Sequence, residues 1–357
     1  MALTAFAGDH MAMFEAVITL CVTLADGPCR DMLLPGYEAA SLIDCDQALA
    51  DRAPALPQAG EPRGAPRCQP IGAALEVKEV APGIFVHLGQ IEEPSVANRG
   101  DISNPGFVIG GQSVAVIDSG TARWMGEALW RAVRAHTDKP ISHVILTHTH
   151  PDHVFGASVF VDVGATVVGH RDLPRALADR QANYLESLQT LIAPEDALAT
   201  EAPEVGMTVE DSAEIDIGDR VLELHAWPIA HTNSDLTVLD RKSGTLFAGD
   251  LLFDQHIPAL DGSLRGWQAV LADLEEVAAP HVIPGHGGPI LSWPDAAAPE
   301  AQYLDVLAKD TKTAIDAGER LGDAVPHIAQ SEAGHWALFD AFNPRNATVA
   351  FTELEWE

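Results

Sequence analysis

The stretch Thr147-His148-Thr149-His150-Pro151-Asp152-His153 decides the reading of this chain. It packs three imidazoles and one carboxylate into six positions, directly after the strand-like run His143-Val144-Ile145-Leu146. Few local environments other than a metal site call for so many nitrogen and oxygen donors in one loop. Imidazole with carboxylate suits zinc, and also iron or manganese. A lone His-x-His is as often plain polar surface as a ligand pair. Three later segments make unrelated surface histidines a poor account here. They are Ala230-His231-Thr232, Ala248-Gly249-Asp250 and Pro284-Gly285-His286-Gly287. Each follows an apolar run (Val221–Leu224, Thr245–Phe247, His281–Ile283), so several strand ends are expected to bring the donors together.

Between Val77 and Leu291 this ensemble resembles the metallo-β-lactamase superfamily. The resemblance implies an α/β fold, a four-layer αβ/βα sandwich with the metals at one edge between two sheets. It implies one metal on His148, His150 and His231, a second on Asp152, His153 and His286, and Asp250 bridging them. It also implies that Asp118 supports the histidine loop from behind, a role Asp235 can play for the loop of His231. Two zinc ions, with iron or manganese as the alternatives, are the cofactors such a set suggests. Two divalent ions about 3.5–4 Å apart share a water, and zinc lowers the pKa of bound water to about 7. The expected function is therefore a dinuclear zinc hydrolase in which a metal-bound hydroxide attacks a carbonyl of a thioester, lactone or amide/β-lactam. Asp152 is the expected catalytic carboxylate, and His256, just past the Asp250 loop, is a candidate to face substrate; an ordinary hydrogen-bonded histidine is the competing reading of His256.

An oxidative enzyme on the same scaffold is the alternative, an iron-dependent persulfide dioxygenase or a di-iron electron carrier. The complete seven-residue donor set argues against the mononuclear iron case, and against a catalytically silent binding module. Asp250 itself resembles the glyoxalase II and lactonase branches more than true β-lactamases, which carry Cys or Ser there. The stretches Asn98–Asn104, Leu260–Trp267, Phe342–Asn346 and Glu353–Trp356, with the Cys-bearing start of the chain, resemble the metallohydrolases encoded beside quinoprotein dehydrogenases and sulfur-oxidation systems. That resemblance implies a periplasmic setting and a small-molecule or carrier-bound substrate. Pro151 fits the first turn of a helix opening at Asp152-His153, and the glycines around His286 read as a tight turn.

The net charge is −31 with only 21 basic residues. Nucleic-acid binding wants a basic surface, so that class is set aside. No apolar run approaches the ~18–20 residues of a membrane span. The 47 % apolar composition is enough for a large core. Cys21, Cys29, Cys45 and Cys68 all lie in the first fifth of the chain, away from the donor cluster. Two disulfides in an oxidising compartment are expected, with three pairings open; a Cys₄ zinc site lacks Cys-x-x-Cys spacing. No Lys or Arg precedes Arg30, and Asp9 and Glu15 interrupt the apolar start, so a signal peptide is not evident; the periplasm is still favoured over the cytoplasm on the cysteines.

The chain divides into residues 1–70, a Cys-containing segment ending in a Pro-rich linker over 51–70; 71–300, the catalytic domain; and 301–357, a C-terminal helical segment completing it. A strand over Phe14–Leu20, hairpins around Pro82-Gly83 and Gly110-Gly111, helices over Thr121–His136, Asp172–Thr190 and Leu264–Ala279, and a returning strand over Val349–Glu357 are predicted. Ile192–Gly206 reads as a surface loop overhanging the site. Specificity is expected in Glu92–Asn104, Leu191–Gly206 and Gln255–Leu264. His170 and His225 read as structural. No Gly-x-Ser-x-Gly elbow, Ser/His/Asp triad or dinucleotide glycine loop competes, and the oligomeric state stays open.

Overall fold

The computed structural model describes residues 13–22, 27–57 and 60–357; Asp9 lies outside them. Two large sheets carry the molecule. The first has seven strands, in the order Met207–Val209, Thr166–His170, Ile141–Ile145, Val114–Ile117, Gly106–Ile109, Ile84–His87 and Val77–Ala81. The second has six, running in chain order from Ser212–Asp216 through Val221–Ala226, Leu236–Asp240, Thr245–Phe253 and His281–His286 to Leu291–Ser292. The predicted hairpins at Pro82-Gly83 and Gly110-Gly111 are antiparallel pairs of the first sheet. Val114–Ile117, Ile141–Ile145 and Thr166–His170 run parallel, which requires the helical crossover Arg123–His136 between the first two.

Alternation along each strand buries two faces. Ile84, Val86, Ala115, Ile117 and Ile145 of the first sheet meet Leu222, Leu224, Val238, Phe247 and Ile283 of the second in one apolar layer. The outer face of the first sheet is covered by the helices Arg123–His136 and Leu173–Leu191, that of the second by Leu264–Glu275, Ala298–Asp316 and Phe339–Leu354. The result is the helix–sheet–sheet–helix sandwich expected.

The described residues before 71 include a third, three-stranded antiparallel sheet of Phe14–Cys21, Cys29–Ala39 and Glu61–Pro70, closed by the helix Leu42–Asp51. Cys21 pairs with Cys29 and Cys45 with Cys68. Residues 61–70, predicted as linker, form the strand on one edge of this sheet, pairing with Phe14–Cys21. Proline is tolerated on a sheet edge, because the missing N–H can point away from the neighbour.

Two further expectations fail. The predicted strand Val349–Glu357 is the end of the helix Phe339–Leu354, whose Phe339, Asn343, Ala347, Ala350 and Leu354 are buried at helical spacing. Within 192–206, Leu198 and Ala199 are buried against the N-terminal sheet, so much of that segment is packed rather than overhanging the site. No described helix is long and apolar enough to cross a membrane.

Candidate metal centre

The strand Ile141–Ile145 ends where the histidine loop begins, and Pro151 opens the short helix Pro151–Val154. That turn points Asp152 and His153 inward beside His148 and His150. His231 follows the strand Val221–Ala226. Asp250 and His286 lie inside neighbouring parallel strands, not just past them. The strand bearing Asp250 breaks register at Gly249, whose φ of 54° is a left-handed conformation that glycine adopts freely. Gly285 permits the closest approach: a Cβ there would collide with Asp250 Oδ1.

The fold gathers all seven donors. One atom each from His148, His150, His231 and Asp250 lie within 4.8 Å of one another, and so do one each from Asp152, His153 and His286. Asp250 joins the two groups. Its Oδ2 stands 3.7 Å from His148 Nε2, 3.4 Å from His231 Nε2 and 3.3 Å from His286 Nε2. Its Oδ1 is 3.2 Å from His153 Nε2. Asp152 Oδ2 lies 3.4 Å from His153 Nε2 and 3.3 Å from His286 Nε2.

Each histidine is oriented through its other nitrogen. His153 Nδ1 is 2.7 Å from Asp118 Oδ2, His231 Nδ1 2.6 Å from the Ala259 carbonyl and His286 Nδ1 2.8 Å from the Ile102 carbonyl. His148 Nδ1 stands 3.0 Å from Thr147 Oγ1, and His150 Nε2 3.2 Å from Asp261 Oδ2. Asp118 also accepts from the Thr147 amide at 2.8 Å and from its hydroxyl at 2.9 Å. It does so from a left-handed backbone, φ 56°, a strained conformation the surrounding bonds hold in place.

That leaves His148 Nε2, His153 Nε2 and Asp250 Oδ1 buried with no hydrogen-bond partner among the described residues. Orphaned polar atoms in an interior are costly, and a cation shared among them removes the cost. Imidazole nitrogens and carboxylate oxygens are the donors divalent ions take, so the residues fit such ions. Charge within the protein follows the same geometry. Burial opposes ionisation of Asp152 and Asp250, yet the imidazoles beside them hold both carboxyls well below the usual range. Burial keeps His148 neutral and holds His231 down at about 3. Burial also works against a proton on His286, but Asp250 and Asp152 outweigh it and push that imidazole up to about 10.

Asp235 holds the His231 loop, as read from the sequence, by accepting from the Thr232 amide at 2.9 Å and its hydroxyl at 2.6 Å. Burial pushes its carboxyl up to about 7. His256 stands apart from the donor atoms. It is buried, its ring 5.2 Å from that of His286 and 4.9 Å from that of Phe342, with Nδ1 2.5 Å from the Ile257 carbonyl. Its ring packs against that of His286. His170 is buried and tied to the Trp227 carbonyl, 3.1 Å away.

Several supporting residues escaped the sequence reading. Asp261 also accepts from Arg180, which in turn donates to Tyr184 Oη at 3.1 Å. Ser103 Oγ donates to the Asp152 carbonyl at 2.5 Å, and Asn104 Nδ2 to the Pro284 carbonyl at 3.0 Å. Ser103, Asn104 and Asp261 fall in stretches singled out in the sequence only as segments, and nothing in the sequence hinted at Arg180 or Tyr184.

The family description "Metallo-beta-lactamase superfamily" matches residues 98–286, more than half of the chain. No curated protein matches the chain in sequence. Solved structures do match in fold. A metallo-β-lactamase from Pontibacter korlensis is 20 % identical, with a TM-score of 0.53, over 65 % of this chain and 99 % of that one. A metallo-β-lactamase family protein from Thermus thermophilus is 18 % identical, with a TM-score of 0.58, over 78 % and 94 %. The inverting sec-alkylsulfatase Pisa1 from Pseudomonas sp. is 15 % identical, with a TM-score of 0.60, over 78 % of this chain but 50 % of that one. The chain belongs to the metallo-β-lactamase superfamily and carries the His and Asp groups of a metal-dependent hydrolase of that superfamily.

Proposed function

We infer that this protein is a dinuclear zinc hydrolase acting on a carbonyl substrate, a thioester, lactone or amide such as a β-lactam. The observation that carries the reading is the pair of donor groups joined through Asp250. When bound there, two divalent ions supply a nucleophile at neutral pH and polarise the substrate oxygen. The chain's own residues do the rest. His148, His150 and His231 are the donors of one ion, Asp152, His153 and His286 those of the other. Asp118, Asp261, Ala259 and Ile102 fix the rings so that their free nitrogens converge. Asp152, anionic and 14 % exposed, and His150, 19 % exposed, are the donors at which substrate and solvent meet the cluster. His256 acts by positioning His286. The complete second set of donor side chains favours hydrolysis over the oxidative reading, because a mononuclear iron oxygenase needs one triad with open positions.

The two disulfides favour an oxidising compartment such as the periplasm, the setting in which a carrier-bound substrate and a place among the quinoprotein-associated metallohydrolases make sense. The catalytic unit in this reading is 71–300, completed by the helices of 301–357.

The test is elemental analysis of the purified protein beside a panel of thioester, lactone and β-lactam substrates. Two zinc ions per chain with turnover are expected; a single iron with no hydrolysis overturns the reading. Asp152→Ala should abolish turnover and lower the bound metal by one ion per chain, and full activity in that variant would refute the assigned role.

A further inference from the structure

Beside the donor cluster, at Asp152, lies a cavity of about 220 Å³. Asp152 forms its wall on the cluster side; Pro94, Ile102, Tyr184, Leu188 and Leu191 form most of the rest. Two of the polar tips around it are committed elsewhere: Thr121 donates its hydroxyl to the Gly100 carbonyl, and Tyr184 Oη accepts from Arg180 Nη1 at 3.1 Å. Apart from Asp152 and Ser187, what remains toward the cavity is hydrocarbon. Among the described residues the lining carries no Lys or Arg. Leu191, on the cavity wall, is 41 % exposed, so the cavity opens to the outside beside an apolar side chain.

The cavity is built into the same framework as the donors. The Ile102 carbonyl orients His286, while the Ile102 side chain walls the cavity. The neighbouring Ser103 holds the backbone of Asp152. The helix Leu173–Leu191 supplies Tyr184, Leu188 and Leu191, and its Arg180 reaches His150 through Asp261. A group seated here therefore lies within one side chain of the reacting centre, in a pocket with apolar walls and a single charged edge, the pattern of a small-molecule subsite.

We propose that this cavity is the subsite for an apolar group of the substrate, an uncharged alkyl or aryl acyl moiety attached to the scissile carbonyl. The proposal rests on the hydrolase reading and narrows its substrate to acyl compounds with an apolar tail. Ser187, exposed on the same helix and on the cavity wall, is where a larger side chain would plug it.

The experiment uses the full chain, loaded with zinc, and N-acetylcysteamine thioesters carrying acetyl, butyryl, hexanoyl and octanoyl groups. If the cavity takes the acyl chain, kcat/KM rises about fourfold per methylene until the cavity is full. Ser187→Trp should flatten that slope, and Leu191→Asp should depress it, with both variants checked for an unchanged melting temperature. Turnover that is indifferent to chain length in the wild type overturns the subsite and leaves the hydrolase reading standing. A second measurement is independent of turnover: binding of butanol and hexanol to the metal-depleted protein by ligand-observed NMR. Hexanol should bind about fifteenfold more tightly than butanol, and Ser187→Trp should remove the difference. That result without turnover of any thioester keeps the apolar subsite and removes the hydrolase reading beneath it. Equal binding of the two alcohols overturns the subsite.

Discussion

At the scale of single residues, the donors were legible because their chemistry is local. His148, His150, Asp152 and His153 sit in one loop, and few residue types bind metal, so the sequence exposes them. Their supports are another matter. Asp118 holds both His153 and the Thr147 backbone. Asp118→Asn keeps the left-handed backbone accessible but weakens the acceptor facing His153. Zinc affinity, read by competition with a chromogenic chelator, should fall about 10–100-fold. Glu300 was invisible to the sequence reading. It is fully buried, with Oε2 accepting from the Phe253 amide at 2.7 Å and Oε1 without a partner among the described residues. Burial raises its carboxyl well above the ordinary glutamate value of 4.5. The sign follows directly. As pH rises past 4.5 the unfolded chain loses this proton and the folded chain keeps it, so Glu300 makes stability decline toward its folded pKa. Glu300→Gln keeps the acceptor for Phe253 and removes the titration. Urea unfolding should show a difference between wild type and variant that is constant below pH 4.5 and shifts in favour of the variant as pH rises above it; a difference that does not change with rising pH would contradict a protonated Glu300.

At the scale of elements, the sandwich strands announced themselves through short apolar runs between glycine and proline turns, and the crossover helix Arg123–His136 through its apolar spacing. The two misread elements fail for physical reasons. Glu61–Pro70 carries prolines that local propensity reads as a linker, yet it is held as an edge strand by pairing with Phe14–Cys21 and by the bond from Cys68 to Cys45. Closing a loop of that length lowers the entropy of the unfolded chain, worth about 3 kcal/mol. Cys45→Ser with Cys68→Ser should lower stability by about that amount in chemical denaturation, and the loss should appear in the N-terminal sheet first by hydrogen exchange. The helix Phe339–Leu354 was misread at its end because Val349 and Phe351 carry strand propensity. Tertiary contacts override it: Tyr303 donates to Asn343 at 2.9 Å, and Glu353 accepts from Ser263 and from the Leu264 amide, both at 2.7 Å. Those last bonds cap the helix Leu264–Glu275 just past Asp261, so the C-terminal helix steadies the loop that reaches His150.

At the scale of the whole molecule, the N-terminal sheet is bonded to the sandwich. Glu15, with no exposed surface, takes two bonds from Arg131 at 2.7 and 2.9 Å and one from the Gly72 amide at 3.1 Å. Arg30 reaches Glu127 at 2.5 Å, and Arg123, 1 % exposed, donates to the Leu33 carbonyl at 3.4 Å. Breaking such a pair strands the other charge. Glu15→Ala should cost about 3 kcal/mol in urea unfolding, and replacing both Glu15 and Arg131 by methionine should recover much of it. A Glu15→Ala protein as stable as wild type would show that the sheet is held by apolar contact alone.

The sequence by itself determined the superfamily, the layered α/β class and the seven His and Asp residues that the fold gathers, because these rest on residue chemistry and on periodicities that span a few positions. The tertiary structure alone decided how the donors are held and what stands beside them. His150 meets Asp261 across 111 positions and His286 meets the Ile102 carbonyl across 184. The apolar cavity at Asp152 draws its walls from a loop near Pro94 and a helix ending at Leu191. No local pattern encodes such meetings; they follow from the packing of two sheets and their covering helices, which fixes every partner at once.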